Sequence, residues 1–421
     1  MALTSCGKGK GDELKTGEKG DRKVTLNFWT FWGSETRRPI IEKIIDDYNK
    51  SQDKVVVKHT FLPWGDIWTK NIVAIAAGNA PDVIVNDINT VSTRAEKNQV
   101  EDITKMVEKD KLKDKLLPEL FKTVEHNDKV YALPFVTDTR LLFYNKEMFK
   151  EAGLDPEKAP TTWEEIEEFS KKIEKKEGNR FTQMGFYPLW GSFGADSWML
   201  NADNGVGYFT DNFDVQIDTE NKVEALQWIK DYTDRLGAES VNMFASEFGS
   251  QQANPFISKK VAMIIDVATF YTQLRDYGKD VDFGLAAVPE FKKGSGNYSV
   301  GGGFVVEIPK GSKHKEEAYD FMKYLTDKEA QTYWAVKNFD AVANIEAMKQ
   351  AAEDKELDEK SKEVYKFTIE NLKSTKMAPR PIWGYDIHEV VGPHIDNVLL
   401  NNKNPKDELK KAQEKVEKLK K

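Results

Sequence analysis

VTLNFWTFWGSETRRPIIEKIIDDYNKSQDKVVVKHTFLPWGDIWTKNIVAIAAGNAPDVIV, residues 24–85, decides the fold class. Val24 to Phe28 alternates as a strand, and Pro39 opens a helix through Tyr48, with Ile40, Ile41, Ile44 and Ile45 at helical spacing. Val55 to Phe61 is a second strand, and Ile67 to Ala77 a second helix that Gly78 is suited to cap. Pro81-Asp82 leads into a third strand, Val83 to Val85. Strand–helix–strand–helix–strand implies an α/β architecture with a parallel sheet and right-handed crossovers. Such sheets bind ligands beyond the carboxyl ends of their strands. The segments to search are therefore Trp29 to Glu35, Pro63 to Asp66 and Asn86 to Thr90.

A second block begins near Val130. Tyr131–Phe135 and Leu141–Tyr144 read as strands around Thr137-Asp138-Thr139-Arg140, and a helix runs from Lys146 to near Gly153. Thr162-Trp163-Glu164-Glu165 is a capping box for a helix to about Lys176. Further helices are expected at Lys222–Leu236, Lys315–Leu325, Glu359–Leu372 and Tyr385–Leu400, and strands at Val261–Asp266, Phe283–Ala287 and Phe304–Ile308. Pro405 to Lys421 is a charged helix or a frayed tail.

At 421 residues, two domains are the default. A formal net charge of −8, with Lys and Glu spread along the chain, argues against a nucleic-acid partner. No stretch is apolar and long enough to cross a bilayer. The single cysteine, Cys6, follows Leu3-Thr4-Ser5 and precedes a polar Gly/Lys-rich segment to Arg22. That arrangement looks like a bacterial lipobox and its tether, residues 1–21, with Cys6 as lipid anchor and only membrane contact. The five histidines, His59, His126, His314, His388 and His394, form no metal motif, and no cofactor is expected.

Four segments carry a resemblance. They are Ala77-Gly78-Asn79-Ala80-Pro81-Asp82-Val83; Tyr131-Ala132-Leu133-Pro134 followed by Leu142-Phe143-Tyr144-Asn145-Lys146; Thr161-Thr162-Trp163-Glu164-Glu165; and Gly301-Gly302-Gly303-Phe304 through Ile308-Pro309-Lys310, then Ala318-Tyr319-Asp320-Phe321. In this order and spacing the chain resembles bacterial extracellular solute-binding proteins of the carbohydrate type, the group that includes maltose-binding protein. The resemblance implies a two-lobed periplasmic-binding-protein-like (type II) fold with an inter-lobe cleft and hinge. It places lobe one at 22–137 plus 298–338 and lobe two at 138–297 plus 339–421. It further implies a monomer that delivers oligosaccharide to ABC transporter permease subunits, at the extracellular face of the membrane or in the periplasm.

A pyranose has apolar faces and a hydroxyl rim, so its site needs aromatic platforms beside charged or amide groups. Trp32 and Trp64 follow the first two strands, Trp190 sits in a loop, and Trp383 follows Pro381. Phe270 is a further lobe-two aromatic, whereas Trp68, Trp163, Trp228 and Trp334 lie in or at the start of helices and read as core. Polar candidates are Ser34, Glu35, Asp66, Asn86, Asp87 and Asp266, with Asp138 and Arg140 at the first crossing. Each acid has an alternative role as a cap or turn residue. Gly301 and Gly302 either admit ligand to the backbone or permit a tight inter-lobe bend. Separated aromatic loops favour oligomers, with xylo- or manno-oligosaccharides as the expected cargo. The competing readings are a glycoside hydrolase, for which paired carboxylates would serve, and a binder of a non-sugar solute.

Overall fold

Alternation along β1 (Val24–Thr30) and β2 (Val55–Phe61) buries Leu26, Phe28, Val55 and Val57. The computed structural model describes residues 23–178, 180–378, 380–384 and 386–420; Cys6 and its tether lie outside them. β1 pairs in parallel with β2 and with β3 (Val83–Asp87). Helix α1 (Arg37–Ser51) bridges the first pair, and α2 (Asp66–Ala76) runs between β2 and β3. Gly78, at φ +72°, turns the chain after α2. The Pro81-Asp82 step has a physical use. The buried Asp82 carboxylate accepts the Asn27 amide at 2.9 Å and the Ser312 hydroxyl at 3.0 Å, pinning β3 beside β1.

The remaining strands that frame the site are β4 (Ala132–Thr137), β5 (Arg140–Asn145), β6 (Met263–Val267), β7 (Phe283–Ala286), β8 (Ser299–Gly301), β9 (Gly303–Glu307), β10 (Ala341–Val342) and β11 (Thr375–Met377). The larger sheet has the order β10-β4-β9-β3-β1-β2, in which β9 runs antiparallel to both β3 and β4. The smaller sheet has the order β6-β5-β7 and is antiparallel. Among the described residues two apolar clusters fill the molecule, the first reaching from the larger sheet across to Phe143 and Phe283 of the smaller one and to Phe270. One gathers Phe28, Trp32, Val85, Phe135, Phe321 and Trp334; the other gathers Trp163, Trp198, Phe209, Tyr232 and Leu409.

Several expectations are corrected. Helix α1 opens at Arg37, two residues before Pro39, because Ser34 Oγ accepts the Arg37 amide at 3.2 Å and a first-turn amide needs no intrahelical partner. The helix begun by Thr162 does accept the Glu165 amide on Thr162 Oγ1 at 3.2 Å, but it stops at Ile173. Lys175–Glu177 instead turns through Gly178, at φ +62°, and pairs with Arg180–Gln183. The chain after residue 338 adds to the larger sheet and its packing. β10 pairs with β4 at the edge of the larger sheet, and Ala347, Ala351, Val364 and Tyr365 are buried in the same apolar cluster as Phe28 and Val85. Pro405–Leu419 is a packed helix, with Leu409, Ala412 and Val416 buried in lobe two.

Candidate functional site between the lobes

Three crossings meet at Thr139, which is fully buried. Its hydroxyl lies 2.6 Å from that of Thr375 and accepts Asn371 Nδ2 at 2.7 Å; Ser299 Oγ accepts the Arg140 amide at 2.9 Å. β8 and β11 pair in parallel beside them. The glycine run serves this packing. A Cβ on Gly301 would stand 2.7 Å from Thr375 Cγ2, and one on Gly303 would stand 2.3 Å from the Val136 carbonyl oxygen. Gly302 donates its amide to Asp138 Oδ1 at 2.8 Å.

Asp138 and Arg140 form an ion pair at the same crossing. Arg140 also donates to the Ser192 carbonyl at 3.2 Å and the Val300 carbonyl at 3.0 Å. The Ser192 hydroxyl donates to Asp266 Oδ1, which accepts the Val267 amide at 2.8 Å as well. Burial pushes the Asp266 carboxyl up, against the pull of the Ser192 bond. One connected polar network therefore runs from the hinge into lobe two.

The principal cleft, about 490 Å³, brings Trp32, Ser34 and Glu35 from the loop after β1 opposite Asp266, near the end of β6, and Phe270 just after it. Sequence reasoning missed Arg37, Gln273 and Asp276, which also line it. They lie on helices, where polar residues read as solvated faces. It also missed Asp340, a buried carboxylate that accepts Trp334 Nε1 at 2.8 Å. Burial raises its pKa, while the Arg37 charge acts in the other direction.

The aromatic candidates divide. Trp32 is no projecting platform: it is 2% exposed, packed on Phe135 at 5.2 Å and Trp334 at 4.4 Å. Phe270 is buried against Phe143 at 5.2 Å. Both give the cleft a firm apolar wall. Trp64 is 59% exposed and stands edge-to-face with Phe31 and Trp68, each at 4.8 Å. Trp190 stacks on Phe244 at 5.8 Å, and Trp383 meets Phe209 edge-on at 5.3 Å; neither is among the residues lining the principal cleft.

Asp66 sits in the first turn of α2, 3.9 Å from Lys70, as a helix-start residue does. Asn86 is committed: its amide donates to Glu307 at 2.9 Å, and Arg94 holds the same Glu307 at 2.6 Å. Asp87 accepts the Asn89 amide at 2.7 Å. Both residues line a second inter-lobe cavity, and Gly301 lines a narrow one beside it. Among the described residues no three His, Cys, Asp or Glu side chains gather as a metal site requires, and no helix is long and apolar enough to cross a membrane.

Comparison with known proteins agrees with this geometry. Residues 32–332 match the family described as bacterial extracellular solute-binding protein. An arabinooligosaccharide-binding protein of Bacillus subtilis (strain 168) is 26% identical over 354 residues, covering 81% of this chain and 78% of the relative. A maltooligosaccharide ABC transporter solute-binding lipoprotein of Streptococcus pneumoniae is 23% identical over 384 residues, covering 90% and 84%. The solved structure of CpMnBP1 with mannotriose bound superposes with a TM-score of 0.82 at 25% identity, covering 94% of this chain and 100% of that one.

Proposed function

The chain belongs to the bacterial extracellular solute-binding proteins, and from that premise we propose that it captures oligosaccharides between its lobes for an ABC importer. The observation that carries the reading is the principal cleft, where the apolar wall of Trp32 and Phe270 adjoins Ser34, Glu35, Arg37 and Asp266 from both sides. This is the pairing of apolar surface and hydroxyl partners that a sugar ring needs. Trp64 adds an exposed stacking face. Xylo- or manno-oligosaccharides are the preferred cargo; the mannotriose-bound neighbour supports the second.

The protein acts by binding and not by turnover. That is how the family works, and the carboxylates nearest the crossing are already engaged, Asp138 by Arg140 and Gly302 and Asp266 by Ser192 and Val267. Lobe one comprises about 22–137 and 298–371, and lobe two the remainder through the third crossing at β11. The folded part acts as a monomer outside the cytoplasmic membrane. Cys6 anchors it through lipid, in keeping with the lipoprotein relative, and the closed lobes dock on the permease subunits.

The test is calorimetry against neutral di- to tetrasaccharides of xylose, mannose, arabinose and glucose, followed by chromatography of the recovered sugar. Binding of at least one, recovered unchanged and insensitive to chelator, is expected. Cleaved product, or no binding across the panel, contradicts the reading.

A further inference from the structure

The second inter-lobe cavity, about 330 Å³, lies between α2 and the loop that enters the helix Ile387–Leu399. Lobe one contributes Trp68, Asn71, Asp87 and Thr90, and lobe two contributes Arg380 and His388. Two of these residues carry buried polar atoms without a hydrogen-bond partner among the described residues: Trp68 Nε1 and Asn71 Oδ1. Asn71 is 2% exposed, so its oxygen has no ready substitute in bulk water. A donor and an acceptor left unmatched on one cavity wall are what a ligand hydroxyl, itself both donor and acceptor, would satisfy.

The opposite wall carries an unpaired cation. Among the described residues Arg38, Arg94, Arg140, Arg180, Arg235 and Arg275 each pair with a carboxylate. Arg37 and Arg380 do not, and each lines an inter-lobe cavity. Arg37 shares its cavity with Glu35, Asp266 and Asp276, a setting poor for an anion. Arg380 differs: its one hydrogen bond is to a ring nitrogen of His388, at 2.7 Å. The acids near it are otherwise engaged or at the rim. Asp87 is capped by the Asn89 amide, Asp196 faces His388 at 3.9 Å, and Asp386 and Glu389 are exposed to screening water. A guanidinium fork without its carboxylate matches a carboxylate brought by the ligand.

We propose that this cavity is a second sugar subsite that accepts an acidic sugar residue, a uronate, whose carboxylate pairs with Arg380 and whose hydroxyls meet Trp68 Nε1 and Asn71 Oδ1. Trp68 touches Trp64 at 4.8 Å, so a chain stacked on the exposed Trp64 leads directly to this subsite. The cargo class is then an oligosaccharide bearing a uronic acid, which deepens the oligosaccharide reading above and rests on it.

Calorimetry on the full chain compares matched probes: mannotriose with trimannuronate, and xylotriose with glucuronosyl-xylotriose, each for the wild type and Arg380→Gln. In at least one pair the wild type should favour the acidic member by about tenfold or more at low salt. The preference should shrink in high salt and fall below about threefold in Arg380→Gln. Neutral-sugar affinity should stay unchanged in the variant, which also shows that it is folded. Equal or weaker binding of every acidic member, or a preference that survives in Arg380→Gln, overturns the proposal. Neutral binding with no acidic preference removes this subsite alone; absence of binding by all four probes overturns this proposal and the xylo- or manno-oligosaccharide choice, and the wider panel above then decides the oligosaccharide reading.

Discussion

Trp64 and Trp32 do different work: Trp32 lines the principal cleft from within the core, and Trp64 stands exposed outside that lining. Trp64 presents an open face held edge-on by Phe31 and Trp68. Its loss should weaken sugar binding by about 1–3 kcal/mol, the scale of burying a large apolar group, or roughly tenfold to more than a hundredfold in affinity. Thermal stability of Trp64→Ala should be near that of the wild type. Trp32→Ala empties a site between Phe135 and Trp334, so it should cost about 3–5 kcal/mol of folding free energy. Paired calorimetry and denaturant titration separate the two; equal stability losses would show that the assignment of roles is wrong. Asp138→Asn keeps shape but removes the charge facing Arg140. The loosened crossing and weaker acceptor should lower affinity by about tenfold, and calorimetry that returns wild-type affinity would remove Asp138 from the site.

At the level of elements, the last helix depends on charge. Hydrogen bonds from Lys411, then His394 and Asn397, hold the Glu408 carboxyl down to about 2. A depressed folded-state value contributes stability that is present above the unfolded value, 4.5, and is lost as pH falls towards about 2. Glu408→Gln should therefore melt below the wild type at neutral pH, with the gap closing between about pH 4.5 and 2. A melting difference that does not change with pH would contradict this. That helix was ambiguous in sequence because its charges dominate, and its sparse apolar residues Leu409, Ala412 and Val416 find their partners only in lobe two's core. Elements with local determinants were readable. Val55–Phe61 and Lys315–Leu325 have the bounds that alternation and helical spacing give. The start of the helix at Trp163 follows from Thr162, but its end depends on a hairpin whose partner strand lies further along the chain. In the wall of the cleft, local reading reached Ser34, Glu35 and Asp266, because strand ends border it. It could not separate Trp32 from Trp64, since Trp334, some 300 residues away, is what buries Trp32. Nor could it find Arg380, whose significance is a missing partner.

In the whole molecule, the cleft is shared between lobes joined at the Thr139–Ser299–Asn371–Thr375 cluster. A ligand touching Ser34 and Arg37 on one side and Asp266 on the other completes its contacts only when the lobes are together. Its affinity then contains a term for closure, since a ligand shifts a conformational equilibrium only by its differential affinity for the two states. Under the proposed function, closure would also present both lobes to a permease as one surface and so make the loaded state the one that docks. The crossing near Asp138 and the glycine run carry local sequence signals, whereas β10 does not, because it is two residues long and its place at the sheet edge depends on pairing with β4.

Capture by closure of the two lobes is the central claim, and small-angle scattering of the free and sugar-saturated protein tests it most directly. With the tightest-binding oligosaccharide from the calorimetric panel, the radius of gyration should fall on saturation and recover when the sugar is removed. An unchanged radius at full occupancy would contradict it.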